Sequence, residues 1–158
     1  MTRVEFTRPR GGHVRLDVLV QGQSSSPIFF KGFVDAGATV CGIPRSINAR
    51  FLGLPVVGRD RNVRIASGMQ DFDYVIVPKI CIARLRMKLH YESVWAQLRR
   101  QFEYASMNFE ETDLEERNAK AWITDDGTEQ DEEIILGMNF LEKFDMIWKR
   151  NGRIIVQR

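Results

Sequence analysis

From His13 to Val20 the chain reads HVRLDVLV, which puts Val14, Leu16, Val18 and Val20 on one face, the period-two alternation of a half-buried strand. A polar QGQSSSP stretch then turns the chain, and Pro27 to Val34 (PIFFKGFV) predicts a second strand, richer in aromatic residues. Together they form a plausible hairpin that delivers Asp35 just past a strand end. Ile43-Pro44 closes this region. The following RSINARFLGL predicts a short helical turn, which Pro44 can open and Gly53 can cap. From Asn62 the pattern returns to strands: NVRIA, then DYVIVPKICI, then MKLHYESVWA. Between the first two lies Ser67-Gly68-Met69-Gln70-Asp71, a glycine-bearing tip without proline and so a turn able to move.

The stretch from about Gln97 to Glu133 has weak periodicity, with Phe102, Tyr104 and Phe109 near its start and Trp122 near its end. It fits a helix, a loop or a partly disordered insertion. After it, Ile134 to Phe144 (IILGMNFLEKF) begins as a buried strand and continues as a short helix. DMIWK and RIIVQ, around Arg150-Asn151-Gly152, then make a closing hairpin with a strong Asn-Gly turn signal. There is no internal repeat and no low-complexity tract.

Composition narrows the picture. The chain has 158 residues, 44% of them hydrophobic and 28% charged. That is enough for one compact core and too little for two full domains. The expectation is one domain over 1–158 with an acidic insertion at about 97–133. No stretch approaches the roughly 20 apolar residues of a membrane span, and the N-terminus shows no basic patch followed by an apolar run. A soluble, cytoplasmic protein without a membrane partner is expected. Cys41 and Cys81 stand outside any CxxC spacing, with only His13 and His90 to join them, so reduced thiols are expected and no metal site.

The net charge of +2 conceals an asymmetry. Glu103 to Glu133 holds twelve Asp and Glu against only Arg117 and Lys120. Such a division suggests either an acidic segment lying on the protein's own basic surface or two separate interaction surfaces. The basic residues cluster at Arg59, Arg61 and Arg64, at Arg84, Arg86 and Lys88, and at Arg99 and Arg100. A solvated face accounts for them, and nucleic-acid binding is not expected. Neither histidine has a nucleophile motif beside it, neither cysteine has a catalytic context, and no phosphate-binding glycine loop is present.

Two segments carry chemistry. Phe33-Val34-Asp35-Ala36-Gly37-Ala38-Thr39-Val40-Cys41-Gly42-Ile43-Pro44 resembles the active-site loop of the retropepsin-like aspartic peptidases, an apolar pair followed by Asp-Thr/Ser-Gly-Ala and then Ile-Pro. Ile134 to Phe144 looks like that family's later strand-and-helix element, Ile-Leu-Gly-x-x-Phe-Leu. An Asp-x-Gly alone fits an ordinary turn aspartate. The two in this order, separated by strands, are a specific signal that covers roughly Val14 to Val156 apart from the acidic insertion.

The resemblance implies an all-β, closed-barrel acid-protease (retropepsin-like) fold with one short C-terminal helix. It implies Asp35 as the single catalytic carboxylate, with no metal and no organic cofactor. Aspartic peptidases hold two carboxylates about 3 Å apart sharing one proton, because like charges that close cannot both ionise, and the pair activates a water. With one such motif in the chain, the second Asp comes from another copy, in a homodimer with the site on its two-fold axis. Gly37 suits the tight turn at the carboxylate. Gly37 and Ala38, with Gly68, Met69 and Phe72 of a flap hairpin from about Val63 to Val77, would contact a peptide or protein substrate. The alternative is a catalytically silent module of the same fold, kept for dimerisation or peptide binding. It draws on Ala36, which stands where the family carries a Thr or Ser hydroxyl that braces the two loops across the dimer. Natural divergence, an engineered change or a silent site would each produce that alanine.

Overall fold

The computed structural model describes residues 2–8, 12–23, 26–85, 109–125 and 133–158. Strands β1 (Arg3–Thr7), β2 (Arg15–Gln21), β3 (Ile28–Val34) and β4 (Cys41–Pro44) lead into helix α1 (Arg45–Ile47) and a wide helical turn at Asn48–Leu52. Then come β5 (Gly58–Ile65), β6 (Gly68–Leu85), β7 (Phe109–Thr124), β8 (Glu133–Leu136), helix α2 (Met138–Leu141), β9 (Asp145–Trp148) and β10 (Arg153–Gln157). The main sheet runs β2-β3-β8-β4-β7-β6-β5, and a further β2–β6 pairing closes its first six strands into a barrel. A separate sheet, β1-β10-β9, joins the two ends of the chain.

The alternation of β2 works as expected: Leu16, Val18 and Val20 are fully buried in the main core with Phe30, Ile43, Val75, Val77, Ile134, Leu136 and Phe140. Leu19, on the opposite face, joins Phe29, Cys81, Ala83 and Phe109 in a second buried cluster outside the barrel. There Phe29 and Phe109 stack at 4.1 Å. Inside, Gly32 is required, because the Leu136 side chain fills the space where a Cβ would stand, 2.5 Å away. Gly53 ends the helical turn at φ +60, its N–H donating to the Asn48 carbonyl at 2.7 Å, a left-handed cap that suits glycine.

The largest departure from expectation lies in the acidic insertion. Residues 109–124 of the anticipated 97–133 form β7, which pairs along β6 from Leu85↔Phe109 to Tyr74↔Trp122 and in parallel with β4. Its periodicity is weak for a structural reason. Leu114 and Ala119 both face the main core although an odd number of positions separates them, so the inward parity switches between them, where Asn118 takes φ +55. A bulge nearer the strand start sets Cys81↔Glu115 against Ala83↔Glu111, which breaks the alternation again. Glu133, the last residue of the anticipated insertion, opens β8, while residues 97–108 and 126–132 and the MKLHYESVWA strand lie outside the described residues.

β7 also accounts for part of the charge asymmetry. Two of its acids pair with bases of β6: Glu110 sits opposite Arg84, whose Nη1 is 3.8 Å away, and Glu111 reaches Lys79, whose Nζ is 2.8 Å away and whose register partner is Arg117. Such partly exposed pairs each contribute little to stability. Of the other clustered bases, Arg59, Arg61 and Arg64 lie on β5, and Arg86, Lys88, Arg99 and Arg100 fall outside the described residues.

The closing hairpin is longer than a two-residue Asn-Gly turn. Gly152 N–H donates to the Lys149 carbonyl at 3.0 Å and Lys149 N–H to the Arg153 carbonyl at 2.8 Å, with Gly152 at φ +82. This is a type I turn followed by a left-handed residue. β1, which no motif announced, pairs antiparallel with β10 from Arg3↔Gln157 to Thr7↔Arg153 and packs Val4 and Phe6 against the core.

Phe30 is completely buried at the barrel centre. Truncating such a ring costs about 3–5 kcal/mol. Phe30→Ala is therefore expected to lower the urea-unfolding free energy by about that amount, and a loss below about 1 kcal/mol would contradict the packing described.

Candidate active site

β3 ends at Val34, and Asp35 N–H donates to the Leu136 carbonyl of β8 at 3.1 Å. The loop then turns tightly: Ala38 N–H returns to the Asp35 carbonyl at 3.1 Å, and Gly37 N–H donates to Asp35 Oδ1 at 2.9 Å. A Cβ on Gly37 would stand 3.2 Å from that same oxygen, so glycine keeps the approach open. Asp35 is half-buried, while Ala36 and Gly37 at the turn are exposed and Ala38 is half-buried.

The start of α2 laces this loop from behind. Met138 N–H donates to the Ala38 carbonyl at 2.8 Å and Asn139 N–H to the Thr39 carbonyl at 3.1 Å. The Asn139 side chain completes the lacing, accepting Cys41 N–H at 3.0 Å and donating to the Lys120 carbonyl of β7 at 2.8 Å. Gly137 permits the approach, since a Cβ there would fall 2.4 Å from the Val40 carbonyl carbon. The two sequence segments that carry the family resemblance are therefore in direct contact, one holding the other in place.

The register aligns a row of residues across the outer face of the barrel wall. Gly58 pairs with Tyr74, Tyr74 with Trp122, Trp122 with Gly42, Gly42 with Ile135 and Ile135 with Phe33. This row stands between the Asp35 loop, which leaves the sheet just past Phe33, and the β5–β6 hairpin, which leaves it just before Tyr74. At the Phe33 end, His13 lies against the Phe33 ring at 4.8 Å, and Arg15 sits above that ring while pairing with Glu133.

The hairpin turns at Ala66 and Ser67, with Ile65 opposite Gly68. Gly68 takes φ +129 and has open space around it, and Met69 is 59% exposed. Both stand near the hairpin tip. Phe72 does not: it is only 8% exposed and stacks on Trp122 at 4.9 Å, nearly parallel. Its ring is committed to the barrel wall instead of being free to cover a ligand.

Asp60 escaped the sequence reading, and Trp122 entered it only as an aromatic near the end of the acidic stretch. Trp122 Nε1 donates to Asp60 Oδ2 at 2.8 Å, Lys120 Nζ reaches the same oxygen at 2.5 Å, and Lys120 lies over the Tyr74 ring at 4.1 Å. The Lys120 ammonium first, and the Trp122 N–H second, hold the Asp60 carboxyl below its ordinary value. The one available signal was parity, because Asp60, Phe72, Tyr74, Lys120 and Trp122 share a face only once the strand register is known.

Both cysteines are free and buried. Burial pushes each thiol up to about 11, so neither is a thiolate nucleophile at neutral pH. Among the described residues, no three His, Cys, Asp or Glu side chains converge as a metal site would require. No helix among the described residues is long and apolar enough to cross a membrane.

The chain is an all-β closed barrel whose Asp35 loop is clamped by a strand-and-helix element. Over 98% of its length the chain is similar to 90% of the crystal structure of a retropepsin-like aspartic protease from Rickettsia conorii, with a TM-score of 0.54 and 15% sequence identity. The fold is thus retropepsin-like. Neither a protein-family model nor a curated protein sequence matches the chain.

Two outcomes follow from this geometry. Removing the Asn139 amide leaves two backbone groups without their partner, each costing roughly 1–3 kcal/mol when buried. Asn139→Ala is expected to lower urea-unfolding stability by about 2 kcal/mol or more, and an unchanged midpoint would contradict the lacing. Asp60 has a depressed folded-state pKa, so its stabilisation is complete above the unfolded value of 3.8 and is lost as pH falls through the lower folded value. The stability difference between wild type and Asp60→Asn should therefore be larger at about pH 5.5 than at about pH 2.5. A constant difference would contradict the charge pairing.

Proposed function

We propose that the protein is an aspartic endopeptidase that acts as a homodimer. The observation that carries this reading is the Asp35 loop. Its carboxylate is oriented by the Gly37 N–H, its tip at Ala36 and Gly37 is open to solvent, and it sits on a retropepsin-like barrel. Two copies facing each other through these tips bring their Asp35 carboxylates together. One carboxylate then accepts a proton from a bound water as it attacks the peptide carbonyl, and the other, protonated, donates to the carbonyl oxygen. Gly37 and Ala38 would border an extended peptide on one side, with Gly68 and Met69 covering it from the hairpin. A peptide or protein substrate fits a wall built from Phe33, Ile135, Gly42 and Trp122, and no metal or organic cofactor enters the chemistry.

Ala36 favours a second reading. Exposed at the loop tip and without a hydroxyl, it provides no side-chain hydrogen bond to a facing loop. A lost hydrogen bond costs on the order of 1 kcal/mol, which weakens the dimer and loosens the site without removing the carboxylate. A silent dimerisation or peptide-binding module is therefore the rival.

Cleavage of a diverse peptide library, with dimer content followed by sedimentation, separates the two. Wild type is expected to yield products that disappear in Asp35→Asn, and Ala36→Thr is expected to raise both dimer content and turnover. A stable dimer that cleaves nothing, in wild type and in Ala36→Thr alike, would favour the module.

A further inference from the structure

The β5–β6 hairpin has only a narrow root. β7 pairs with β6 only as far as Tyr74↔Trp122, so from Arg59 to Asp73 the two strands pair with each other alone among the described residues. β5 is also the edge of the sheet. A two-stranded hairpin is marginal by itself, and its direction depends on what grips it at the base. That grip is a set of side chains spanning three strands. Asp60 of β5 reaches across β6 to accept Trp122 Nε1 at 2.8 Å and Lys120 Nζ at 2.5 Å, both from β7. Phe72 of β6 stacks on the Trp122 ring, and Lys120 covers Tyr74. Among the described residues the backbone contributes no such cross-link, and the register shift between Asp60 and Val63, with Asn62 at φ +56, falls immediately beyond Asp60. The ladder is therefore interrupted just past the grip, where a hairpin can bend.

Trp122 has a second connection. The same residue lies opposite Gly42, in the strand that leaves the Asp35 loop. The hairpin root and the Asp35 loop are thus referenced to one point on β7.

We propose that Asp60 is a positioning residue: with Lys120 and Trp122 it latches the β5–β6 hairpin to the barrel wall and sets how the Gly68 tip stands relative to Asp35. The latch itself is a structural assignment. Its consequence for turnover rests on the peptidase reading.

The test uses the full chain and two independent readouts. Hydrogen–deuterium exchange of peptides covering 61–72 is compared with that of peptides from the barrel strands in wild type, Asp60→Ala, Asp60→Asn and Lys120→Gln. Asp60→Ala is expected to speed exchange in the hairpin about tenfold while the barrel peptides are unchanged, a local opening about 1.4 kcal/mol easier. Asp60→Asn, which keeps an acceptor for Trp122 but loses the charge for Lys120, should fall between Asp60→Ala and wild type. Should Asp60→Ala fail to fold, Asp60→Asn and Lys120→Gln still report on the charge pair. In parallel, KM and kcat are measured on one peptide drawn from the cleaved pool, where a loosened hairpin is expected to raise KM severalfold more than it lowers kcat. Hairpin exchange that does not change in any of the three variants would overturn the latch, whether or not cleavage is seen. Faster hairpin exchange in a chain that cleaves nothing would support the latch and overturn only the peptidase reading.

Discussion

One side-chain amide ties the candidate site to the barrel. Asn139 accepts the N–H of Cys41 and donates to the carbonyl of Lys120, joining β4 to β7 at the level where the Asp35 loop re-enters the sheet. An amide is suited to this because it carries a donor and an acceptor on one planar group. Asn139 and Met138 also donate their own N–H groups to the loop. The turn that would otherwise be the least ordered part of the molecule is thereby attached to a helix start and two strands. Gly137 makes the arrangement possible by letting the α2 backbone pass against Val40. The Asp35 carboxylate can then be held by a single N–H, that of Gly37, because the rest of the loop is already fixed.

The molecule is rigid around this point and lightly held elsewhere. Barrel strands bury alternate residues on one face and, around Phe29 and Phe109, on both. The β5–β6 hairpin buries far less, and most of its residues are exposed. Its orientation is governed by polar and aromatic contacts at the root, a type of interaction that shields less surface and opens more readily than a packed core.

Charge is distributed along the same division. Glu110 and Glu111 of β7 pair with Arg84 and Lys79 of β6, so part of the acidic segment is neutralised within the sheet. Asp60 is the exception with a more specific role, since its partners Lys120 and Trp122 lie across an intervening strand. Around Arg59, where Asp71 and Asp73 stand nearby, the hairpin balances its own charge.

Much of the fold was legible from local pattern: the β2 alternation, the β3 strand leading into Asp35, the glycine-bearing hairpin, the β8–α2 element and the final turn. These are features whose cause lies within a few residues, in side-chain period or turn chemistry. β1 was not legible, because five residues of alternating character mean little until β10 offers an edge. β7 was hidden by its own bulge and by the parity switch at Asn118, and its acids looked like insertion when they belong to a barrel strand. Phe72 was misplaced for a related reason: aromatic character near a flap tip does not reveal that Trp122, fifty residues later, will stack on it. What the amino-acid sequence determined alone was the tight turn of the Asp35 loop and the kind of element on either side of it, since a short motif contains its own turn geometry. Which residues stand across from that loop, and what holds the hairpin in place, was decided by register between distant strands, and register is a property of the closed sheet.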